Sequence, residues 1–217
     1  MENFLTINEN IESEITVKKS KFICNLIKIE TQEEAEDQIK KIKKKYHDAR
    51  HNCVAYRVQE NDTIVEKSSD DGEPSGTAGG PMLNILQKNN LCNVLVVVTR
   101  YFGGTLLGTG GLVRAYSSSV QAGLASSQIV TRISGSKLQI TTDYTGLGKI
   151  QYILGENGIQ ILDTQYTDQV VLEVLLSDEQ LAPVQAEITE GTSGQAKMEV
   201  GEACFFAEVD GKEQVLE

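Results

Sequence analysis

Apolar and polar positions alternate along this chain with two different periods. Near the start, Ile15 and Val17 alternate with polar neighbours, and Phe22 to Ile29 follows as a second strand-like stretch. The period then lengthens. Ala35, Ile39, Ile42 and Tyr46 form one apolar stripe at spacings of four, three and four, which predicts a helix over 32–46. Thr31 and Glu34 supply a capping-box pair for it, and Glu36–Lys40 and Asp37–Lys41 are favourable pairs along its surface. Cys53 to Val58 and Thr63 to Lys67 read as hairpin strands across Glu60–Asn61–Asp62. Met82, Ile85 and Leu86 suggest a helix ending near Asn89–Asn90, and Val94 to Val98 is an unbroken apolar run, the mark of a strand buried on both faces. A last helix of this half is predicted from about Leu112 to Ser126. Its small residues, among them Ala115, Ser119, Ala122 and Gly123, let it lie close against a sheet.

The second half repeats the alternation in a cleaner order. Lys137 to Asp143 reads as a strand. Leu147, Ile150, Ile153 and Leu154 form a helical stripe stopped by Asn157–Gly158. Ile159 to Tyr166 and Gln169 to Leu176 are strands joined at Thr167–Asp168. Leu181, Val184 and Ile188 make another helical stripe, with Pro183 expected in its first turn or at a kink, and Ala196 to Val209 supplies the last strand. The order βαββαβ is the ferredoxin-like pattern. The reading is therefore α+β in two domains, with a boundary near Thr131–Ser136.

Charge supports the division. Residues 1–130 carry 15 basic and 16 acidic side chains, whereas residues 131–217 carry 5 and 15, which accounts for nearly all of the net charge of −11. The second half would repel nucleic acid, so a polyanion is expected to approach only the first. The longest apolar run is five residues against the roughly 20 that a membrane-spanning helix needs. Met1 to Asn10 is polar, so no secretory leader is expected. Cys24, Cys53, Cys92 and Cys204 lie 29, 39 and 112 residues apart, with no Cys-x-x-Cys pair, and are read as buried thiols of a cytoplasmic protein. No membrane association is expected.

Candidate chemistry is concentrated in two glycine-rich segments. Nine of the 19 glycines fall between Gly72 and Gly111. The first segment runs Asp70, Asp71, Gly72, Glu73, Pro74, Ser75, Gly76, Thr77, and continues to Gly80. The second runs Arg100, Tyr101, Phe102, Gly103, Gly104 and on through Gly108, Thr109, Gly110 and Gly111. Such glycines let a ligand approach backbone N–H groups, and the second segment leads from a buried strand into a helix N-terminus, where anions bind well. Neither segment fits a Walker loop or Gly-x-Gly-x-x-Gly, and no cofactor is indicated. Asp70, Asp71 and Glu73 are of the right type to hold Mg²⁺, though Asp-Gly and Glu-Pro are also ordinary turn chemistry. His47, His51 and Cys53 lack an evident fourth ligand for zinc. A Cys53–His51 nucleophile lacks a third group to orient the base, so no catalytic or metal residues are assigned. Lys40, Lys41, Lys43, Lys44 and Lys45 are the densest positive feature. With Arg50 and Arg57 they could meet a phosphate backbone, and Tyr101 and Phe102 beside Arg100 could stack on bases. The candidate ligand or RNA cleft thus comprises Arg50, His51, Asn52, Arg57, the 70–77 segment, Arg100 to Gly104, Gly108 to Gly111 and Arg114. The two glycine-rich loops are expected to meet in space.

Lys18 to Ile23, Asp48 to Arg57, the loop from Asp70 to Pro81 and Val97 to Tyr116 together resemble the signature of the YigZ/IMPACT family, over about residues 15 to 125. The second half is similar to that family's bacterial C-terminal domain by pattern. One departure is Gly80, which stands where the family pattern has a basic residue before the proline and so removes a positive charge from the loop. The resemblance implies an N-terminal domain, residues 1–132, folded like the second domain of the fifth small-subunit ribosomal protein and domain IV of elongation factor G. It implies a ferredoxin-like C-terminal domain, residues 133–217, similar to domain V of that factor. Eukaryotic relatives regulate translation by binding an activator of an amino-acid-starvation kinase. Three functions follow as expectations. The first is a non-enzymatic translation-associated protein that contacts RNA or the ribosome through its N-terminal domain. The second is a Mg²⁺-dependent enzyme acting on a phosphorylated small molecule. The third is a protein-interaction module whose acidic C-terminal domain meets a basic protein partner.

Overall fold

The computed structural model describes residues 3–60 and 63–216; the predicted turn at Asn61–Asp62 lies outside them. Contacts divide the chain into two units, one spanning Phe4–Val130 and the other Thr131 onward together with Asn3. No described helix is long and apolar enough to cross a membrane.

The first unit contains β1 (Phe4–Ile7), β2 (Ile11–Val17), β3 (Ser20–Lys28), α1 (Gln32–Lys45), β4 (His51–Glu60), β5 (Thr63–Ser69), α2 (Gly79–Lys88), β6 (Val94–Tyr101) and α3 (Thr109–Ala125). Its sheet runs in the order β2-β3-β6-β4-β5, with every pair antiparallel. Helices cover both faces, which is why the central strand β6 is apolar without alternation. Val94, Val96 and Val98 pack with Phe22, Met82, Leu86 and Tyr116 toward α2 and α3. Leu95 and Val97 pack with Ile23, Ile39, Ile42 and Tyr56 toward α1. All five are fully buried, and each such side chain contributes about 1.5–3 kcal/mol. The unbroken run thus marks burial on two faces, here in an antiparallel rather than a parallel sheet.

Capping explains where the helices begin. The Thr31 hydroxyl accepts the Glu34 N–H of α1 at 3.1 Å, but the Glu34 carboxylate takes the Glu30 N–H at 2.8 Å, so the box closes one residue earlier than expected. The two i,i+4 pairs foreseen on α1 are replaced. Lys40 bonds Asp37 at 2.8 Å, and Glu36 accepts from Lys67 at 2.6 Å. Helices α2 and α3 start at Gly79 and Thr109, about three residues before the expected positions, because the glycines become the first helical turns instead of staying in the loops. Strand β1 was not foreseen. It has only four residues and takes its partners from distant segments; one is an isolated bridge from Leu5 to Leu91, with the Cys92 N–H donating to the Leu5 carbonyl at 2.8 Å.

The second unit contains β7 (Ile129–Thr142), α4 (Tyr144–Glu156), β8 (Ile161–Tyr166), β9 (Val170–Ser177), α5 (Asp178–Gly191), β10 (Lys197–Val209) and β11 (Lys212–Val215). Its strands lie in the order β11-β10-β7-β9-β8, antiparallel throughout, which is the ferredoxin-like arrangement with one strand added. Leu138, Ile140, Leu172 and Val174 pack against Ile150, Leu154, Val184 and Ile188 from the two helices. Ser177 and Gln180 form a full capping box for α5, which places the helix start before Pro183 and leaves the proline inside the helix, beyond its first turn. The added β11 turns back at Asp210–Gly211, both with positive φ, an Asp-Gly hairpin signal that the sequence reading passed over. Strand β7 is longer than Lys137 to Asp143, so the segment expected as a boundary is continuous strand.

Close backbone packing at Gly135 of β7 generates a prediction. A β-carbon there would lie 2.0 Å from the Leu176 carbonyl oxygen and 2.8 Å from the Phe206 ring. Gly135→Ala should destabilise the protein by about 1–3 kcal/mol, the usual cost of overpacking, read as a lowered unfolding midpoint in urea. An unchanged midpoint would contradict this packing.

Candidate functional site

The register of three strands builds the site. Phe22 on β3, Arg100 on β6 and His51 on β4 lie opposite one another, so they share one face at one end of the sheet. Arg100 ends the stripe begun by Val94, Val96 and Val98, and there the apolar core gives way to charge. Its guanidinium is 7% exposed, and Nη1 meets the Glu73 carboxylate at 2.7 Å. Glu73 also accepts from the Tyr116 hydroxyl at 2.9 Å, and that hydroxyl accepts from the Cys53 thiol at 3.3 Å. The two glycine-rich segments therefore meet through a buried ion pair. Burying such a pair is costly, and the bonds from Tyr116 to the carboxylate and from the Arg100 Nη2 to Ser20 offset part of that cost.

An open cleft of about 590 Å³ lies at this end of the sheet, lined by Asp48, Arg50, His51, Arg100, Tyr101, Phe102 and Leu106. Phe102 is 54% exposed and Leu106 83%. The Tyr101 hydroxyl donates to Asp48 at 2.7 Å; this bond holds the Asp48 carboxyl below its ordinary range and pushes the Tyr101 phenol up to about 12. The His51 Nδ1 lies 2.9 Å from the Asp71 carbonyl, which only accepts, so Nδ1 carries a proton and donates it there, leaving Nε2 outside that bond.

The cleft gathers Arg50, His51, Arg100, Tyr101 and Phe102 from the candidates. The loop from Asp70 to Thr77 does not line it but braces it from behind, a correction with a clear cause. Its carboxylates are taken up within the protein. Asp70 accepts from the N–H groups of Gly76, Ala78 and Gly79 at 2.8–2.9 Å and so caps α2. Burial pushes its pKa up, but the three donors outweigh that and hold it below the ordinary value. Asp71 accepts from the Asn52 N–H and from Lys43, both at 2.7 Å, and Glu73 holds Arg100. The three carboxylates serve the loop's own shape, and no cluster of three or more metal-ligating side chains occurs among the described residues.

Three more candidates leave the cleft. Arg57 lies at the far end of β4, six residues from His51 and roughly 20 Å away at strand rise, where it bonds Glu66 at 2.7 Å and the Leu91 carbonyl at 2.8 Å. Asn52 is buried on the opposite face, where it accepts from the Thr99 hydroxyl at 2.7 Å. Arg114 lines a separate groove of about 190 Å³ with Val17, Lys18, Leu107, Gly111, Ala115 and Ser118. The lysine run of α1 is partly consumed, since Lys43 pairs with Asp71 and Lys45 with Glu12. Sequence reasoning missed Asp48 and Leu106. Asp48 stood in the Asp48–Arg57 stretch but had no visible partner until Tyr101 was placed against it.

The comparisons with known proteins define the same class, a two-domain α+β protein. Residues 18–124 match the Impact N-terminal domain, and residues 140–195 match a domain of unknown function, DUF1949. The chain belongs to the IMPACT family. It is 42% identical over 206 residues to the IMPACT family member YvyE of Bacillus subtilis, covering 95% of this chain and 94% of that one. It is 34% identical over 183 residues to YigZ of Escherichia coli, covering 84% and 90%. A crystal structure of a hypothetical protein, 32% identical, covers 93% of this chain and 98% of its own with a TM-score of 0.61.

The site generates a prediction about Cys53. Its thiol is fully buried, bonds the Asp70 carbonyl at 3.0 Å, and is pushed up to about 12, chiefly by burial. Burial raises the thiol of partly exposed Cys204 as well, but iodoacetamide at pH 8 should still label it well ahead of Cys53 in native protein, as read by peptide mass mapping. Fast stoichiometric labelling of Cys53 would contradict the buried network.

Proposed function

We propose that this protein is a non-enzymatic, translation-associated regulator that contacts RNA or the ribosome through its N-terminal domain, in the cytoplasm. The observation that carries the reading is the cleft itself. Arg50 stands exposed at its rim, Phe102 and Leu106 project from a glycine-flanked loop, and the potential metal ligands nearby are spent on capping and pairing. Exposed aromatic and cationic side chains on one surface suit a nucleic acid, which presents stacking faces and phosphates together. The translation setting comes from the family resemblance. The groove with Lys18 and Arg114 adds cations near the same loop. The acidic second half leaves the N-terminal domain as the surface a polyanion can approach, and offers its own charge to a basic protein partner.

The Mg²⁺-dependent enzyme is less well supported. Its three carboxylates point to separate protein donors, and Asp70 and Glu73 are already satisfied by geometry that a metal would disrupt.

The test is filter binding of full-length protein to bulk cellular RNA at several salt concentrations. Arg50→Glu should weaken binding several-fold at about 50 mM salt, with a smaller effect near 200 mM, because a phosphate contact is screened. Lys41→Glu, on the exposed face of α1, should cost less per charge. Equal losses from both variants would point to diffuse charge in place of the cleft, and no salt-dependent binding at all would remove RNA as the partner.

A further inference from the structure

We infer that the cleft holds an unpaired base of single-stranded RNA, stacked on Phe102, and does not chiefly hold phosphate. The inference rests on the RNA reading above and deepens it.

The charges lining the cleft nearly cancel. Arg100 is neutralised by Glu73, and the Asp48 carboxylate, kept ionised by Tyr101, offsets Arg50. A site built to grip phosphate would carry surplus cations, and this one does not. What it has in surplus is a fixed aromatic surface. The Arg100 guanidinium lies between two rings, 5.6 Å from the centroid of Phe22 and 5.7 Å from that of Phe102. Phe22 belongs to the buried core, so the cation is anchored below and supports Phe102 from that side. The residue after Phe102 is anchored too. The Gly103 N–H donates to the Ser20 hydroxyl at 3.2 Å, and the backbone there is so close that a β-carbon would lie 2.0 Å from the Lys19 carbonyl group.

Phe102 is therefore an apolar ring, 54% exposed, with a buried cation 5.7 Å from its centroid and followed by a backbone position that admits only glycine. A lone exposed aromatic needs no explanation, but one set over a buried cation, beside an exposed Leu106 in a cleft of about 590 Å³, does. The Arg100 Nε is buried without a hydrogen-bond partner, so the guanidinium keeps unspent polarity beneath the ring. A nucleobase supplies what this surface lacks, a flat π-face over Phe102 and a polar edge for the His51 Nε2, while Arg50 at the rim is left to the adjoining phosphate. A paired base in a duplex cannot present its face, so the strand must be single.

The experiment compares an end-labelled, mixed-sequence RNA strand with the same strand annealed to its complement, by fluorescence anisotropy on the full-length protein. Phe102→Ala and Phe102→Leu should each weaken single-strand binding about tenfold while leaving the slope of affinity against salt unchanged, because stacking releases no counterions. Phe102→Trp should bind as tightly as the wild type. Duplex binding should be weaker and indifferent to all three substitutions. If Phe102→Leu binds single strands as the wild type does, or if duplex and single strand bind alike, the stacking inference is overturned while RNA binding stands. If the wild type binds neither form, both readings fall and the anchored Phe102 is left to a protein partner.

Discussion

The buried pair between Arg100 and Glu73 is the interaction on which the working end of the N-terminal domain depends. Two opposite charges, both side chains less than a tenth exposed, sit 2.7 Å apart where the apolar stripe of β6 runs out. Removing such charges from water costs several kcal/mol each, and their attraction is helped by further bonds that engage all of their buried polar atoms but the Arg100 Nε. Tyr116 bonds the same carboxylate, and Ser20 lies 3.5 Å from the second guanidinium nitrogen. The pair ties the loop after β5 to the end of the central strand, and it places a cation beneath Phe102. A hydrophobic pair of the same volume could match its stability but could not support the ring electrostatically.

The rest of the site follows from satisfying groups that this arrangement buries. Asp70 closes the first turn of α2, Asp71 holds the start of β4 through the Asn52 N–H, and the Asp71 carbonyl accepts from the His51 Nδ1. The glycine-rich loop is a rigid brace, and the cleft is formed by the strand ends it braces. That division explains why a segment so dense in carboxylates lines no part of the opening. The acidic second domain carries most of the net charge of −11. Its part in the proposed function is electrostatic, directing a polyanion to the other domain and offering charge to a basic protein.

Much of the fold was legible because it rests on local periodicity. The stripe of α1, the two-sided burial of β6 and the βαββαβ order of the second domain are each visible in spacing alone. What escaped depends on distant partners. Strand β1 finds its partners far along the chain, Leu91 some 86 residues away among them, and no pattern in four residues announces that. The early starts of α2 and α3 were hidden because glycines usually signal loops, and only the Asp70 carboxylate makes Gly79 a helix opening. Arg57 looked like a free cation in a motif rich in positive charge; its partners, Glu66 and the Leu91 carbonyl, lie on other elements. The same holds for Asp70, Asp71 and Glu73, whose chemistry suits a metal and whose positions suit caps. Residue type fixed the list of candidates, and tertiary register sorted them.

The Arg100–Glu73 pair is expected to organise the cleft proposed to contact RNA. The direct measurement is urea unfolding and single-stranded RNA affinity on Glu73→Ala and on the double variant Arg100→Met/Glu73→Leu. Glu73→Ala strands a buried cation and should cost about 3–5 kcal/mol of stability, together with affinity. The apolar double variant should recover most of that stability and still bind RNA about tenfold more weakly than the wild type, since the ring loses its cation and the cleft its shape. A double variant that is stable and binds RNA as well as the wild type would contradict the claim.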